Sequence, residues 1–203
     1  MSVCYIIGAG EDFGLDFAPA EGDLVIAADG GYDRVKAAGI RPDLVIGDFD
    51  SLGRIPREDR VITLPTVKDV TDTWAAIELG KERGYRVFRL YGCTGGRIDH
   101  TLANIQTLAS LAAEGMQGFL VDRDQIITAV SGTTLTFGPE HRGFVSVFSH
   151  TDRCTGVTLQ GLKYELQNAE LSSTYPLGVS NEFTGVPAAL TIGSGIAVVV
   201  YER

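Results

Sequence analysis

Short runs of Val, Ile and Leu recur through the first part of the chain, with helical patterns or loops rich in Gly and Asp between them. Such runs are typical of parallel strands that are buried on both faces of a sheet. Predicted strands fall at residues 3–7, 24–27, 44–46, 61–64 and 87–90, and predicted helices at 32–38, 71–83 and 100–113. This alternation favours an open α/β sheet.

The pattern changes after about residue 122, where helical spacing stops and only strand-like runs remain. These runs lie at residues 126–130, 133–137, 144–148, 156–160, 189–192 and 196–201. Gly, Pro, Ser and Asn punctuate them, which is typical of antiparallel sheets. The predicted fold class is therefore an N-terminal open parallel-type α/β (Rossmann-like) domain, residues 1–122, followed by a C-terminal all-β sandwich, residues 123–203.

Composition excludes some classes of partner. The formal net charge is −9, and no cluster of Lys and Arg forms a basic face, so we expect no nucleic-acid binding. No apolar run is long enough to cross a bilayer, so we expect no membrane partner. The three cysteines are widely spaced and form no CxxC pair, which is typical of free thiols in a reducing cytoplasm.

Four polar clusters follow apolar runs: ADGGYD at 28–33, GDFDS at 47–51, KDVTD at 68–72 and GGRIDH at 95–100. Ligands of open α/β sheets bind beyond the carboxyl ends of the strands, where such loops converge. Each cluster alone also fits a turn or a helix cap. Caps explain one carboxylate per helix, however, and leave the second aspartate of GDFDS unexplained, so the four together favour a shared site.

The aspartates of these clusters are candidate metal ligands. Mg²⁺ takes oxygen ligands from one or two carboxylates, from water and from substrate phosphates. Asp48 and Asp50 are borne on one turn, and Asp72 lies on a predicted first helical turn. We therefore predict Asp48, Asp50 and Asp72 as metal-binding residues.

The glycines and basic residues of the clusters are candidate phosphate-binding groups. Gly95 and Gly96 let the backbone approach a phosphate closely. Arg97 offers a planar, two-pronged donor and Lys68 a point charge. His100 either bonds a phosphate, orients Asp99 or simply begins a helix. Metal and basic groups on a polyphosphate are typical of phosphoryl-type transfer.

Two nucleotide motifs are absent or malformed. The chain has no GxxxxGK[ST], and GAGEDFG at 8–14 has one residue too many for GxGxxG. An NAD-dependent oxidoreductase is therefore disfavoured.

The four motifs DGGYDRV at 29–35, PDLVIGDFDSL at 42–52, KDVTDTWAA at 68–76 and GCTGGRIDHTLANI at 92–105 together resemble the thiamine pyrophosphokinase family. Their order and spacing agree with that family across about the first hundred residues. GLKYEL at 161–166 and GVSNEFTG at 178–185 are similar, more loosely, to its late aromatic segment and Ser-Asn motif.

The resemblance implies transfer of a pyrophosphoryl group from ATP to the hydroxyethyl oxygen of thiamine, with thiamine diphosphate and AMP as products and Mg²⁺ required. It also implies a homodimer with active sites between subunits, and the free cysteines predict a cytoplasmic location. The implied catalytic residues are Asp48, Asp50, Asp72 and Asp99, the implied cofactor-binding residues are Asp29, Gly30, Lys68, Gly95, Gly96, Arg97 and His100, and the implied thiamine-binding residues are Tyr164, Ser180 and Asn181. Tyr164 stands where some members have tryptophan.

Rival functions stay open on the residues alone. A related diphosphokinase for another heterocyclic alcohol, such as a pterin, would share the ATP and metal site. A metal-dependent phosphohydrolase would use the same carboxylates to activate water, and a nucleotide-sensing module would bind without turnover.

Overall fold

The computed structural model describes residues 2–49, 52–58, 60–65 and 70–203. The chain divides into two compact units: residues 1–104 with 120–122, and residues 105–119 with 123–203. The predicted division into domains 1–122 and 123–203 stays a prediction. Within the described ranges, no helix is long and apolar enough to cross a membrane.

The first unit is built on a largely parallel sheet. Its strands and helices are β1 (Cys4–Ile7), β2 (Leu24–Ala28), α1 (Gly31–Ala37), β3 (Leu44–Gly47), β4 (Val61–Thr63), α2 (Asp72–Glu82), β5 (Val87–Tyr91), the first part of α3 (Ile98–Ala113) and the end of β6 (Gln117–Val121). The strand order is β6-β5-β1-β2-β3-β4, and the pairs from β5 to β4 are parallel. Every residue of β1, β2 and β3 is buried, as the apolar runs predict.

Strand order reverses at β1, because β2, β3 and β4 lie on one side of it and β5 on the other. Ligands bind at such a switch point, beyond the carboxyl ends of the strands. Local signals set the nearby helix: Thr71 is the N-cap of α2, where its Oγ1 accepts a hydrogen bond from the Trp74 amide at 3.1 Å.

The second unit contains two antiparallel sheets. Its strands are β7 (Gln125–Ser131), β8 (Thr134–Phe137), β9 (Phe144–Ser149), β10 (Arg153–Gln160), β11 (Leu166–Ser172), β12 (Gly178–Glu182), β13 (Ala188–Thr191) and β14 (Ile196–Glu202). One sheet contains β12-β9-β14-β7 and the other β11-β10-β13-β8. Val147, Leu159, Leu190 and Val199, which come from both sheets, share one buried core. The predicted fold class is confirmed.

Candidate functional site

The loops that follow β5, β1, β2 and β3 meet at one edge of the parallel sheet. Asp29 directly follows β2 and Asp48 directly follows β3, while residues 8–11 follow β1 and residues 92–97 follow β5. Together with the start of α2, these loops line a cavity of about 880 Å³. The predicted site residues on its lining are Asp29, Asp48, Asp72, Gly95, Gly96, Arg97 and His100.

Of the residues predicted for the nucleotide and metal site, two lie off this lining and two lie outside the described residues. Gly30 is the N-cap of α1, where a Cβ would come within 3.1 Å of the Ala9 side chain, so it packs against the loop after β1. Asp99 lies in the first turn of α3 and points to Arg97. Asp50 and Lys68 fall outside the described residues.

Backbone hydrogen bonds join the loop after β1 to the loop after β5. The Gly8 amide donates to the Tyr91 carbonyl at 2.8 Å, Gly10 to Gly92 at 2.7 Å, and Glu11 to Thr94 at 2.9 Å. A dinucleotide fingerprint would present amides of this loop to a pyrophosphate. Here they bind carbonyls instead, which argues further against an NAD-type site.

Arg34 also binds the loop after β1, through the carbonyl groups of that loop. Its guanidinium donates to the carbonyls of Gly8 at 2.8 Å and Ala9 at 3.2 Å, and also to the carbonyl of Gly10. The guanidinium lies across Gly92, where any Cβ would collide with it. The two loops and Arg34 therefore form one fixed platform under the cavity.

Two side chains on the lining are buried without a hydrogen-bond partner at one oxygen. Asp29 is 7% exposed and Thr94 is 3% exposed. Within the described part of the chain, no group bonds Oδ1 of Asp29 or Oγ1 of Thr94. Buried polar atoms are nearly always bonded, so these two oxygens indicate a ligand position.

The three aspartates of the lining come from the ends of β2 and β3 and from the start of α2. Asp48 and Asp72 are both half-buried, and Asp72 is the first residue of α2. Their oxygen donors, with those of Asp29, suit a hard cation such as Mg²⁺. Among the residues that the structure describes, no three Asp, Glu, His or Cys side chains form a metal-holding group. Because Asp50 is not among them, the predicted metal set stays a prediction.

Gly95 and Gly96 both have positive φ, at 74° and 59°, which glycine adopts without strain. A Cβ on Gly95 would lie 2.5 Å from the Glu11 side chain, whereas a Cβ on Gly96 would meet no atom within 4 Å. The Gly96 amide donates to Oε1 of Glu11 at 3.1 Å. The glycine pair is thus open on one side and covered by a carboxylate on the other.

Arg97 and Asp99 form an exposed ion pair at the mouth of the cavity. Nη2 of Arg97 donates to Oδ2 of Asp99 at 2.5 Å and Nε donates to Oδ1 at 3.2 Å. Hydrogen bonding to Arg97 lowers the pKa of the Asp99 carboxyl, and the same bonds raise the pKa of Arg97. Asp99 therefore orients the guanidinium beside the lining glycines.

The predicted thiamine-binding residues lie in the second unit. The Tyr164 side chain is 59% exposed, and Ser180 is exposed with φ of 57°. Asn181 is 4% exposed. Its Oδ1 accepts from the amides of Tyr164 and Glu182, each at 2.9 Å, and its Nδ2 donates to the Tyr164 carbonyl at 2.6 Å. The Asn181 amide is therefore committed to the backbone that carries Tyr164.

Glu11, Thr94 and Asn104 are among the residues of the first unit's cavity that sequence reasoning did not identify. Asn104 is buried, and its Nδ2 donates to the Cys93 carbonyl at 2.7 Å, which fixes the turn before Thr94. The position of GAGED directly after the first strand was the available signal for Glu11. Cys93 is buried, and burial raises the pKa of its thiol to about 11, which is typical of a packing residue and not of a reactive thiol.

Two family models match the chain. Thiamin pyrophosphokinase, catalytic domain, matches residues 19–120, and Thiamin pyrophosphokinase, vitamin B1 binding domain, matches residues 133–197. A protein of Bacillus subtilis (strain 168) named Thiamine pyrophosphokinase is 28% identical over 187 residues, which cover 89% of this chain and 87% of that protein.

Solved structures agree over the whole length. The crystal structure of thiamine pyrophosphokinase from Bacillus subtilis has a TM-score of 0.85 and 25% identity, and covers 99% of each chain. The crystal structure of thiamin pyrophosphokinase from Geobacillus thermodenitrificans has a TM-score of 0.85 and 28% identity, over 99% of this chain and 97% of that one.

Proposed function

This chain belongs to the thiamin pyrophosphokinase family, and from that premise we propose which of its residues bind ATP, metal and thiamine. It is a transferase of the kinase type that uses ATP as co-substrate. The observation that carries the assignment of the nucleotide site is the convergence of Asp29, Asp48, Asp72 and Arg97 on one cavity. That cavity lies within the first unit, and the catalytic-domain family model matches most of that unit.

The proposed metal is Mg²⁺, held by Asp48 and Asp72 together with Asp50. The unpartnered, buried oxygen of Asp29 supports a cationic or hydrogen-bonding ligand nearby. Carboxylate oxygens suit Mg²⁺, which also binds substrate phosphates. When bound, the ion neutralises phosphate charge and helps to align the β-phosphorus.

The chain's own residues supply the rest of the nucleotide site. In the proposed reaction the hydroxyl oxygen of thiamine attacks the β-phosphorus, the bond from that phosphorus to the α–β bridging oxygen breaks, and AMP leaves. Arg97, oriented by Asp99, donates to phosphate oxygens, and His100 lies beside it on the lining. Lys68 adds a positive charge to this set.

The proposed thiamine site centres on Tyr164 and Ser180. The exposed ring of Tyr164 offers a face for the thiamine rings, because a cationic heterocycle is attracted to an aromatic face. Lys163 Nζ already lies 5.5 Å from the centroid of this ring and pairs with Glu182 at 2.6 Å. Asn181 acts by fixing the Tyr164 backbone, since its amide is fully engaged there.

A homodimer with active sites between subunits is part of the proposal. Exposed large apolar side chains of the second unit support it, because such patches mark interaction surfaces. Leu177 and Val179 are each 50% exposed at the start of β12, which is an edge strand. Val179→Asp should shift the protein from dimer to monomer in size-exclusion chromatography with light scattering. A dimer that survives this change would remove β12 from the interface.

We also propose that the protein is located in the cytoplasm. The three cysteines are free and buried, which is compatible with a reducing environment.

The experiment that tests the assignment is an endpoint assay with MgATP and thiamine, in which products are separated by chromatography. We expect equal amounts of thiamine diphosphate and AMP, lost with EDTA. Asp48→Asn and Asp72→Asn should each lower turnover by at least 100-fold while the circular dichroism spectrum stays unchanged. Near-normal activity of both variants would refute the metal assignment. Phosphate released without thiamine would indicate a phosphohydrolase, and turnover of a pterin alcohol but not thiamine would indicate the related diphosphokinase.

A further inference from the structure

We propose that Glu11 sets the affinity of this chain for nucleotide, because its carboxylate competes with a phosphate oxygen of ATP for the Gly96 amide. The inference rests on the proposed nucleotide site and adds a residue that opposes binding there. The competition is a direct one, since a single N–H donates one strong hydrogen bond at a time. Oε1 of Glu11 accepts that bond at 3.1 Å.

The position of Glu11 is fixed by its backbone. Its amide donates to the Thr94 carbonyl at 2.9 Å, and the preceding Gly10 donates to Gly92 at 2.7 Å. Arg34 bonds the carbonyls of Gly8, Ala9 and Gly10. The carboxylate therefore projects from a platform held on two sides.

The Gly95–Gly96 pair is shaped to receive this side chain on one face and a ligand on the other. A Cβ atom on Gly95 would lie 2.5 Å from the Glu11 side chain, which is too close for two carbon atoms. Position 95 therefore accommodates Glu11 because it is a glycine. Gly96 is open, with no atom within 4 Å of its Cβ position. The buried Thr94 hydroxyl, which has no partner among the described residues, lies beside the pair on the same lining.

Charge on the lining works in the same direction. Of the described residues that line the cavity, Glu11, Asp29, Asp48 and Asp72 are acidic, while Arg97 is the one Arg or Lys. A polyphosphate that enters must displace or approach the Glu11 carboxylate, and like charges a few ångströms apart repel. Glu11 is exposed, and its carboxylate already accepts the hydrogen bond of the Gly96 amide, so its charge opposes the nucleotide.

The test measures binding of α,β-methylene-ATP, whose α–β bridge cannot be cleaved, with Mg²⁺ by calorimetry. Glu11→Gln keeps an acceptor but removes the charge, and Glu11→Ala removes both. We expect both variants to bind the analogue about threefold to tenfold more tightly than the original chain. The gain should shrink in 0.5 M KCl, because salt screens exposed charges.

Two further variants make the result specific. Asp12→Asn makes the same charge change one residue away, where the carboxylate accepts from the Gly14 amide, and should leave affinity within twofold. Arg97→Met tests the underlying site: undiminished binding there would refute the nucleotide site itself. If binding needs Arg97 but is unchanged or weaker in both Glu11 variants, the nucleotide site stands and the proposed role of Glu11 is overturned. Weaker binding would indicate that Glu11 accepts hydrogen bonds from the hydroxyls of the nucleotide.

Discussion

Replacing Asn181 with alanine should both destabilise the chain and weaken thiamine binding. The change leaves the amides of Tyr164 and Glu182 and the Tyr164 carbonyl without their side-chain partner. A hydrogen bond of this kind contributes about 0.5–1.5 kcal/mol net, so three of them contribute roughly 2–4 kcal/mol. For a chain of about this length, each kcal/mol lowers Tm by about 2–4 °C. We therefore expect a fall in Tm of roughly 4–16 °C.

The assay is differential scanning calorimetry combined with initial rates. Loss of the Asn181 amide frees the backbone of Tyr164, so KM for thiamine should rise about tenfold while KM for ATP changes less than twofold. Gln167→Ala removes an exposed amide from β11 and serves as the control, with an expected stability change within about 0.5 kcal/mol. A Tm within 2 °C of the original would refute the structural role, and a normal thiamine KM despite lower Tm would refute the positioning of Tyr164.

Two further predictions concern the first unit. Thr94→Val removes a buried hydroxyl that has no partner in the described chain, so Tm in thermal melting should stay equal or rise. The affinity for ATP, measured by calorimetry, should fall about threefold to tenfold because the ligand loses a hydrogen bond. A lower Tm with unchanged affinity would contradict this. Burial raises the pKa of the Cys93 thiol from 9.0 to about 11. As pH rises, the thiol therefore ionises in the unfolded chain before it ionises in the folded chain. The contribution of the protonated thiol to the free energy of unfolding is fully present below pH 9, and it falls by at most about 1.4 kcal/mol per pH unit up to pH 11. Urea unfolding at pH 8.5 and 10.5 should show a smaller loss in Cys93→Ala, and an equal loss would contradict the assignment.

The strands that are buried throughout could be predicted from sequence, and so could the edge strands β4 and β8, whereas the edge strands β11 and β12 could not. Strands β1, β2 and β3 are buried throughout, so their apolar runs are continuous. The sequence reading missed β11 and β12, which lie at the edges of their sheets. In β11, Leu171 is the one buried residue, and β12 buries the polar Asn181, so neither presents an alternating apolar pattern. It also missed β6, which follows α3 closely.

The acidic half of the candidate site could be predicted because Asp29 and Asp48 directly follow buried parallel strands, whose carboxyl ends share one edge of the sheet. The loop after β1 could not, since its contribution comes from a long-range contact. Glu11 reaches Gly96 across 85 residues, and Arg34 reaches Gly8 across 26. That Gly95 admits a phosphate stays a prediction, and the structure places the Glu11 side chain against one face of this glycine. A glycine with positive φ indicates close approach, but the sequence does not identify which group approaches.

The charges on the lining predict that nucleotide and metal bind together in the proposed site. ATP is a polyanion, and four carboxylates surround its proposed position against a single Arg97 among the described lining residues. Arg97 is itself partly neutralised by Asp99 at 2.5 Å. Coulomb repulsion between such groups would oppose binding of the free nucleotide. A divalent cation reverses that balance, because it is attracted to the aspartates and the phosphates alike. In the proposed site the ion is therefore needed for affinity as well as for chemistry, and the aspartates that hold it are also the groups that exclude the metal-free nucleotide.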